Sequence, residues 1–281
     1  MHQYETLGQN GCEVALTVGP WTHTGSTGEN FMLETFSWLE THLAQQIPDT
    51  TLRVKSREAP VRVFVTGVQE WRNLPQWPLA KTHARELFLG AAKALSSEAP
   101  SATAGQSAFT FDPAKPTPSI GGPMLFDNGS IRSADDSSLA VRSDVAVFET
   151  EILKQDVEVL GQPVITLHHS TSHPHADLLV VVSDVQASGK SRSISEVYTR
   201  LDPTRPGQGE VTLALADCAH RFLKGHKIRL LIAGGSHPRY IRNLGTGEDS
   251  VLGSALQAVE HKVQHHSNAI SKLVLPTTAT I

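Results

Sequence analysis

The sequence has 281 residues, of which 39% are hydrophobic, and a formal net charge of −4. A chain of this size and apolar content can bury a sizeable core in one large domain or two unequal ones. Its Lys and Arg residues are scattered rather than gathered into blocks. That distribution argues against nucleic acid and against an anionic membrane surface as partners.

The start of the chain and its longest apolar runs indicate whether the protein is secreted or inserted in a membrane. No apolar run approaches the ~20 residues needed to span a bilayer. The opening MHQYETLGQNG lacks the basic and apolar regions of a secretion signal, so we expect a soluble, cytoplasmic protein. Cys12 and Cys218 are too few for a disulfide framework or a thiolate metal site, and two buried thiols are favoured over one long-range bridge.

The first predicted element is a strand. Glu13–Val18 is a short apolar run without polar alternation, which is typical of a parallel strand covered on both faces. Such a strand needs neighbours, and we expect none from the residues that follow.

A loop and a helix come next. In GPWTHTGSTGEN, Ser26 and Glu29 have the spacing of a capping box, so a helix is predicted to begin near Thr27. It ends before Pro48, and the region around Asp49 is the predicted domain boundary. The helix carries one apolar stripe, formed by Met32, Phe36, Leu39 and Leu43.

From about Arg53 onward, short runs rich in Val, Ile, Leu, Phe and Thr alternate with Gly, Pro, Asn and Asp clusters. This pattern is typical of an all-β sandwich or jelly roll. The stretch from Ser96 to Asp136, interrupted only by AFTFD, is predicted to be a long surface connection. Ten strands are predicted: Val61–Thr66, Arg85–Leu89, Phe109–Asp112, Asp144–Thr150, Val164–Ser170, Leu178–Asp184, Glu196–Leu201, Val211–Ala216, Lys227–Ala233 and Ser271–Leu275.

GPWTHTG after a buried strand resembles the segment that holds the catalytic histidine in serine hydrolases of the cocaine esterase and X-Pro dipeptidyl-peptidase type. Four further phrases resemble that family in the same order: VRVFVTGVQEWRNLPQWP, FTFDPAKPTPSIGG, RSDVAVFET and GHKIRLLIAGGSHPRYIRNLGTGE. The resemblance therefore covers nearly the whole chain.

The resemblance implies two parts. Residues 1–48 would be the strand, His loop and helix that end an α/β-hydrolase domain, and residues 53–281 a non-catalytic, galactose-binding-like jelly roll. His23 would be the catalytic histidine, and Trp21 would either line an acyl pocket or be a packed aromatic residue. Neither a metal nor another cofactor is implied.

The resemblance also indicates which catalytic parts to look for. The family's nucleophile lies on a G-x-S-x-G elbow, a motif absent from this sequence, and its aspartate and oxyanion tyrosine would lie before residue 1. The isolated chain is therefore predicted to be inactive, whereas the full-length form would act on a small ester or peptide.

Two alternatives stay open, a non-catalytic interaction module and the second half of a split hydrolase. The helix stripe bears on every one of these hypotheses, since an uncovered apolar patch favours either a partner, such as an upstream α/β-hydrolase fragment, or self-association of the chain.

Histidines cluster in LHHSTSHPH, at positions 168, 169, 173 and 175. A metal site is disfavoured there because neighbours on a strand point to opposite faces. His261 and His265 are four apart and are expected to share a helix face. Ser236 beside His237 is interpreted as a turn residue rather than a nucleophile. The polar residues Asp144, Asp177, His226, Arg229, Arg239, Arg242 and Asn243 are expected to brace the sandwich.

Overall fold

The computed structural model describes residues 1–21, 29–44, 57–122, 134–204 and 209–278. Its described residues form two compact units, one up to Ala80 and one from Lys81 onward.

The first unit combines helices with a small sheet. Its elements are α1 His2–Gln9, β1 Leu16–Val18, α2 Glu29–Leu39, a π-helical turn Glu40–Ala44, β2 Val61–Val65 and β3 Glu70–Leu74. The sheet has the order β1-β2-β3, with β1 parallel to β2 and β2 antiparallel to β3.

The expectation that β1 has no following neighbour is wrong, because Leu16 lies opposite Val61. A parallel pair needs a long crossover connection, and α2 lies within it. The sheet consequently extends across the boundary predicted near Asp49. The capping box at Ser26 and the helix start at Thr27 lie outside the described residues.

The second unit is built from strands, and these strands coincide with the short apolar runs that the sequence shows after Arg53. They are β4 His83–Leu89, β5 Leu95–Ser96, β6 Gln106–Phe111, β7 Val145–Glu149, β8 Val157–Gly161, β9 Val164–Thr171, β10 Asp177–Val185, β11 Ser191–Arg200, β12 Gly209–Ala214, β13 Cys218–Phe222, β14 Lys227–Ala233, β15 Val259–Gln264 and β16 Lys272–Thr277.

Within the described part of this unit, β11, β10, β14 and β7 form one antiparallel sheet in that order. The remaining strands form a larger sheet along the path β13-β8-β16-β9-β15-β6, with β12 on β9 and with β4 joining β16 to β5.

The core lies between these two sheets because side chains alternate along each strand. On β10, Leu178 and Val182 pack with Leu87 and Leu273 of the larger sheet. The opposite face of β10 is buried too, and there Val181 packs in a second apolar cluster. This arrangement confirms the predicted β-sandwich.

All ten predicted strands overlap observed strands, whereas β3, β5, β8, β13 and β15 were not predicted. The helix expected around His261 is wrong. Val259–Gln264 is a strand, and its alternating burial shows that Val259, His261 and Val263 share the inner face.

Candidate active-site segment and its surroundings

The segment after β1 holds the residues that the sequence singles out. Gly19 lies against Trp21, since a Cβ on Gly19 would lie 2.8 Å from atoms of the indole ring. Any larger residue at position 19 would therefore displace that ring. His23 follows two residues later and lies outside the described residues.

Trp21 belongs to a half-buried aromatic cluster. Its ring centroid lies 5.6 Å from that of Trp71, at an interplanar angle of 45°. Trp71 in turn meets Phe64 edge-on at 5.4 Å, and the guanidinium carbon of Arg62 lies 4.4 Å from the Trp71 ring centroid. These contacts are those of a packed aromatic residue. A role for Trp21 in an acyl pocket stays a prediction.

Glu34 on α2 is the centre of a polar cluster next to these rings. One of its carboxylate oxygens, Oε2, accepts hydrogen bonds from Thr17 Oγ1 at 2.6 Å and Arg57 Nη1 at 3.3 Å. The other, Oε1, accepts from Arg62 Nη1 at 2.9 Å. The carboxylate thereby connects α2 to both β1 and β2. Sequence reasoning missed this cluster because no motif links these four positions.

Asp177 anchors a polar cluster in the second unit. It accepts hydrogen bonds from Arg200 Nε at 3.1 Å and Asn243 Nδ2 at 2.8 Å, and from the Tyr198 hydroxyl. Burial, together with the nearby Asp177 carboxylate, raises the pKa of Tyr198. The Tyr198 ring stacks on Tyr240 with centroids 3.9 Å apart.

The other polar residues predicted to brace the sandwich also have partners in the protein. These pairs are Asp144 with Thr117 and Arg142, Arg229 with Glu149, Arg239 with Glu196, Arg242 with the Pro113 carbonyl, and His226 with Asp184. The bracing prediction is therefore confirmed.

The histidines of LHHSTSHPH do not converge. His168 and His169 point to opposite faces of β9, as predicted, and the His168 ring lies 3.6 Å from Glu210. His173 and His175 have ring centroids 6.4 Å apart. In the part of the chain that the structure describes, no three His, Cys, Asp or Glu side chains form a group that could hold a metal ion.

A buried histidine pair was missed. His169 Nε2 and His261 Nδ1 lie 3.1 Å apart, and the His261 ring stacks on Phe109 at 4.7 Å. Burial lowers the pKa of His169 to about 4. Burial and the proximity of His169 lower the pKa of His261 to about 3. The alternation in Val-Glu-His-Lys-Val-Gln was the available signal, since period two places His261 inward.

Ser236 is buried, and its hydroxyl donates to Ser119 Oγ at 3.0 Å rather than to a histidine.

Both cysteines are free thiols. Burial raises the pKa of Cys218 to about 12. Cys12 is exposed, so the expectation that it is buried is wrong.

The fold defines a β-sandwich protein with an N-terminal unit of helices and a small three-stranded sheet. Residues 53–273 match the family model described as the X-Pro dipeptidyl-peptidase C-terminal non-catalytic domain, and the chain belongs to that family. No helix in the described ranges is long and apolar enough to cross a membrane.

The cocaine esterase of Rhodococcus sp. (strain MB1 Bresler) is 30% identical over 267 residues, covering 85% of this chain and 46% of that protein. A crystallised α-amino acid ester hydrolase superposes with a TM-score of 0.82 at 23% identity, covering 99% of this chain and 52% of that one. An aminopeptidase from the marine sediment archaeon Thaumarchaeota archaeon superposes with a TM-score of 0.78 at 24% identity, covering 98% and 52%. The chain thus spans about half the length of these proteins.

Proposed function

We propose that this chain is the C-terminal part of a serine hydrolase that cleaves acyl esters, or peptides in the dipeptidyl-peptidase manner. The observation that carries the proposal is the 30% identity with an esterase over 85% of the chain. The GPWTHTG segment lies within the first unit, directly after β1. A substrate of this enzyme would be a small ester or peptide.

His23 is the general base in this proposal. Its imidazole would take the proton of a serine hydroxyl as that oxygen attacks the acyl carbon, and would then return the proton to the leaving group. The serine and an orienting acid have to come from elsewhere, because the sequence has no G-x-S-x-G elbow. The isolated chain is accordingly proposed to be inactive.

The apolar stripe on α2 and on the π-helical turn after it supports a partner for the first unit. Phe36, Leu39 and Leu43 are 51%, 41% and 77% exposed, and Met32 is 42% exposed. Large apolar side chains that remain exposed together mark an interaction surface. We assign this surface to the upstream α/β-hydrolase portion, with self-association of the chain as the competing outcome.

Ester hydrolysis by complementation tests the proposal. The chain would be co-expressed with the N-terminal half of the Rhodococcus esterase, and p-nitrophenyl acetate turnover measured on the purified pair. Turnover is expected from the pair, from neither part alone, and not from the pair carrying His23→Ala. Robust turnover by the chain alone, abolished by His23→Ala, would contradict the proposed inactivity.

A non-catalytic interaction module is the second candidate, favoured by the matched family's description as non-catalytic. Here the sandwich would bind a glycan or a protein, because a fold does not fix a function. Saturable binding of one ligand from a glycan and protein panel, with no complementation of ester hydrolysis, would favour this candidate. Flat binding curves across the panel would argue against it.

A further inference from the structure

The Glu34 cluster joins the two elements that flank the His23 segment. Thr17 lies on β1, six residues before His23, and Glu34 lies on α2, eleven residues after it. The 2.6 Å hydrogen bond between Thr17 Oγ1 and Glu34 Oε2 ties these flanking elements together directly.

Arg57 locks the same junction from the connection before β2. Its Nη2 donates to the carbonyls of Leu16 and Pro60, its Nε donates to the Ala59 carbonyl at 2.9 Å, and its Nη1 reaches Thr17 Oγ1 at 2.9 Å. Hydrogen bonds to backbone carbonyls hold the Arg57 guanidinium in place. The positive charge that pairs with the Glu34 carboxylate therefore has a fixed position.

Arg62 extends the cluster to the aromatic rings. It donates to Glu34 Oε1 at 2.9 Å while its guanidinium lies over Trp71, the ring that contacts Trp21. A guanidinium held by a carboxylate keeps its plane over an aromatic face. Glu34 is therefore also connected to Trp21, two positions before His23, through the side chains of Arg62 and Trp71.

We propose that Glu34 is a positioning residue for the reaction, which holds β1 through Thr17 and Trp21 through Arg62 and Trp71. This inference rests on the proposed hydrolase function. Glu34 itself does not touch the reacting atoms in this assignment. Its effect is to hold β1, Trp21 and α2, which precede and follow His23 in the sequence, in the arrangement that reaction with a partner's serine requires.

Fluorine NMR of the chain labelled with 5-fluorotryptophan tests the path directly. Glu34→Gln keeps the side-chain size but removes the charge that holds Arg62, so the Trp71 and Trp21 resonances are expected to shift. The resonance of Trp38, whose ring contacts His42 at a centroid distance of 4.0 Å, should shift less than those of Trp71 and Trp21. Glu34→Asp keeps a carboxylate and should shift both resonances less than Glu34→Gln does.

Glu40→Gln, which removes a carboxylate from the turn after α2, is the matched control and should leave Trp21 and Trp71 unchanged. The carbon-bound ring proton of His23 gives a second readout on the same samples and is expected to move in Glu34→Gln but not in Glu40→Gln. Unchanged Trp21 and Trp71 resonances in Glu34→Gln would overturn the proposal. Equal shifts of all four tryptophans would also overturn it, because they would indicate a general loss of structure.

Ester hydrolysis by the complemented pair distinguishes a failure of the Glu34 proposal from a failure of the proposed hydrolase function. In the complemented esterase, Glu34→Gln is expected to lower kcat roughly tenfold to a hundredfold with KM little changed, as for a misplaced catalytic group. Complementation that fails for the wild-type chain, with the NMR shifts present, refutes the hydrolase function alone. Complementation that succeeds equally well with Glu34→Gln refutes the role of Glu34 alone.

Discussion

The buried pair of His169 and His261 makes the stability of the sandwich depend on pH. Both side chains are at most 5% exposed, and their pKa values are lowered to about 4 and about 3, with burial as the main cause. In the unfolded chain both return to the ordinary value of about 6.5. The folded state therefore binds fewer protons than the unfolded state in mildly acidic solution.

The sign of the effect follows from this difference. Stability is fully present above about pH 6.5 and is lost as the pH falls from there towards the two folded values. Between pH 7.5 and pH 5 each histidine costs about 2 kcal/mol, so the pair removes roughly 4 kcal/mol from the free energy of unfolding. Because both folded pKa values lie below 5, the unfolded values alone determine this figure. The burial of both rings means that solvent screening does not reduce it.

Urea unfolding at pH 7.5, 6 and 5 measures the effect. The double variant His169→Leu/His261→Leu removes both partners of the hydrogen bond, which avoids leaving one buried polar atom unpaired. It is expected to lose roughly 4 kcal/mol less stability than the wild-type chain between pH 7.5 and pH 5.

His168→Leu is the matched control, since His168 is the neighbour of His169 on the opposite, half-buried face of β9. This variant should keep the wild-type pH dependence. The reasoning is refuted if the double variant loses as much stability on acidification as the wild-type chain. An NMR titration in which either buried ring titrates near pH 6.5 in the folded protein would refute it as well.

Two further predictions concern single positions. Gly245 has φ of +77°, and a Cβ there would lie 2.1 Å from the backbone carbonyl oxygen of Gln257, so Gly245→Ala should destabilise the chain by roughly 3 kcal/mol or more. Gly189→Ala, at φ +85° with open space around the Cβ, should cost only about 1 kcal/mol in the same urea titration. Native Cys218, whose pKa burial raises to about 12, should not react with a disulfide reagent at pH 8, whereas Cys12 should react fully. Equal labelling of the two thiols, read by peptide mass spectrometry, would contradict this.

Alternation identified the sandwich strands from sequence, and its failures have physical causes. β15 was misassigned because the spacing of His261 and His265 was interpreted as helical, although Val259, His261 and Val263 alternate inward. The β1–β2 pair was missed because the partner of Leu16 is Val61, on the far side of α2. Parallel pairing of this kind leaves no local signature.

The polar cluster on α2 could not be predicted for a related reason. The partners of Glu34 lie 17, 23 and 28 positions away along the chain, at Thr17, Arg57 and Arg62. Each is an ordinary surface residue type when considered alone. Only the crossover geometry of β1, α2 and β2 brings them to one carboxylate.

The family phrases of the second unit are explained by the fold rather than by chemistry. Ser119 of TPSIGG donates its backbone N–H to the His237 carbonyl at 2.7 Å, and Ser236 Oγ donates to Ser119 Oγ at 3.0 Å. The Arg239 backbone N–H also donates to Ser119 Oγ, at 3.1 Å. Two phrases about 120 positions apart thus hold each other in place, and these hydrogen bonds commit Ser119 and the buried Ser236 to that junction. The proposed chemistry rests on the GPWTHTG segment, and the tests of function therefore concentrate on His23 and on the side chains that hold β1 and α2 on either side of it in the sequence.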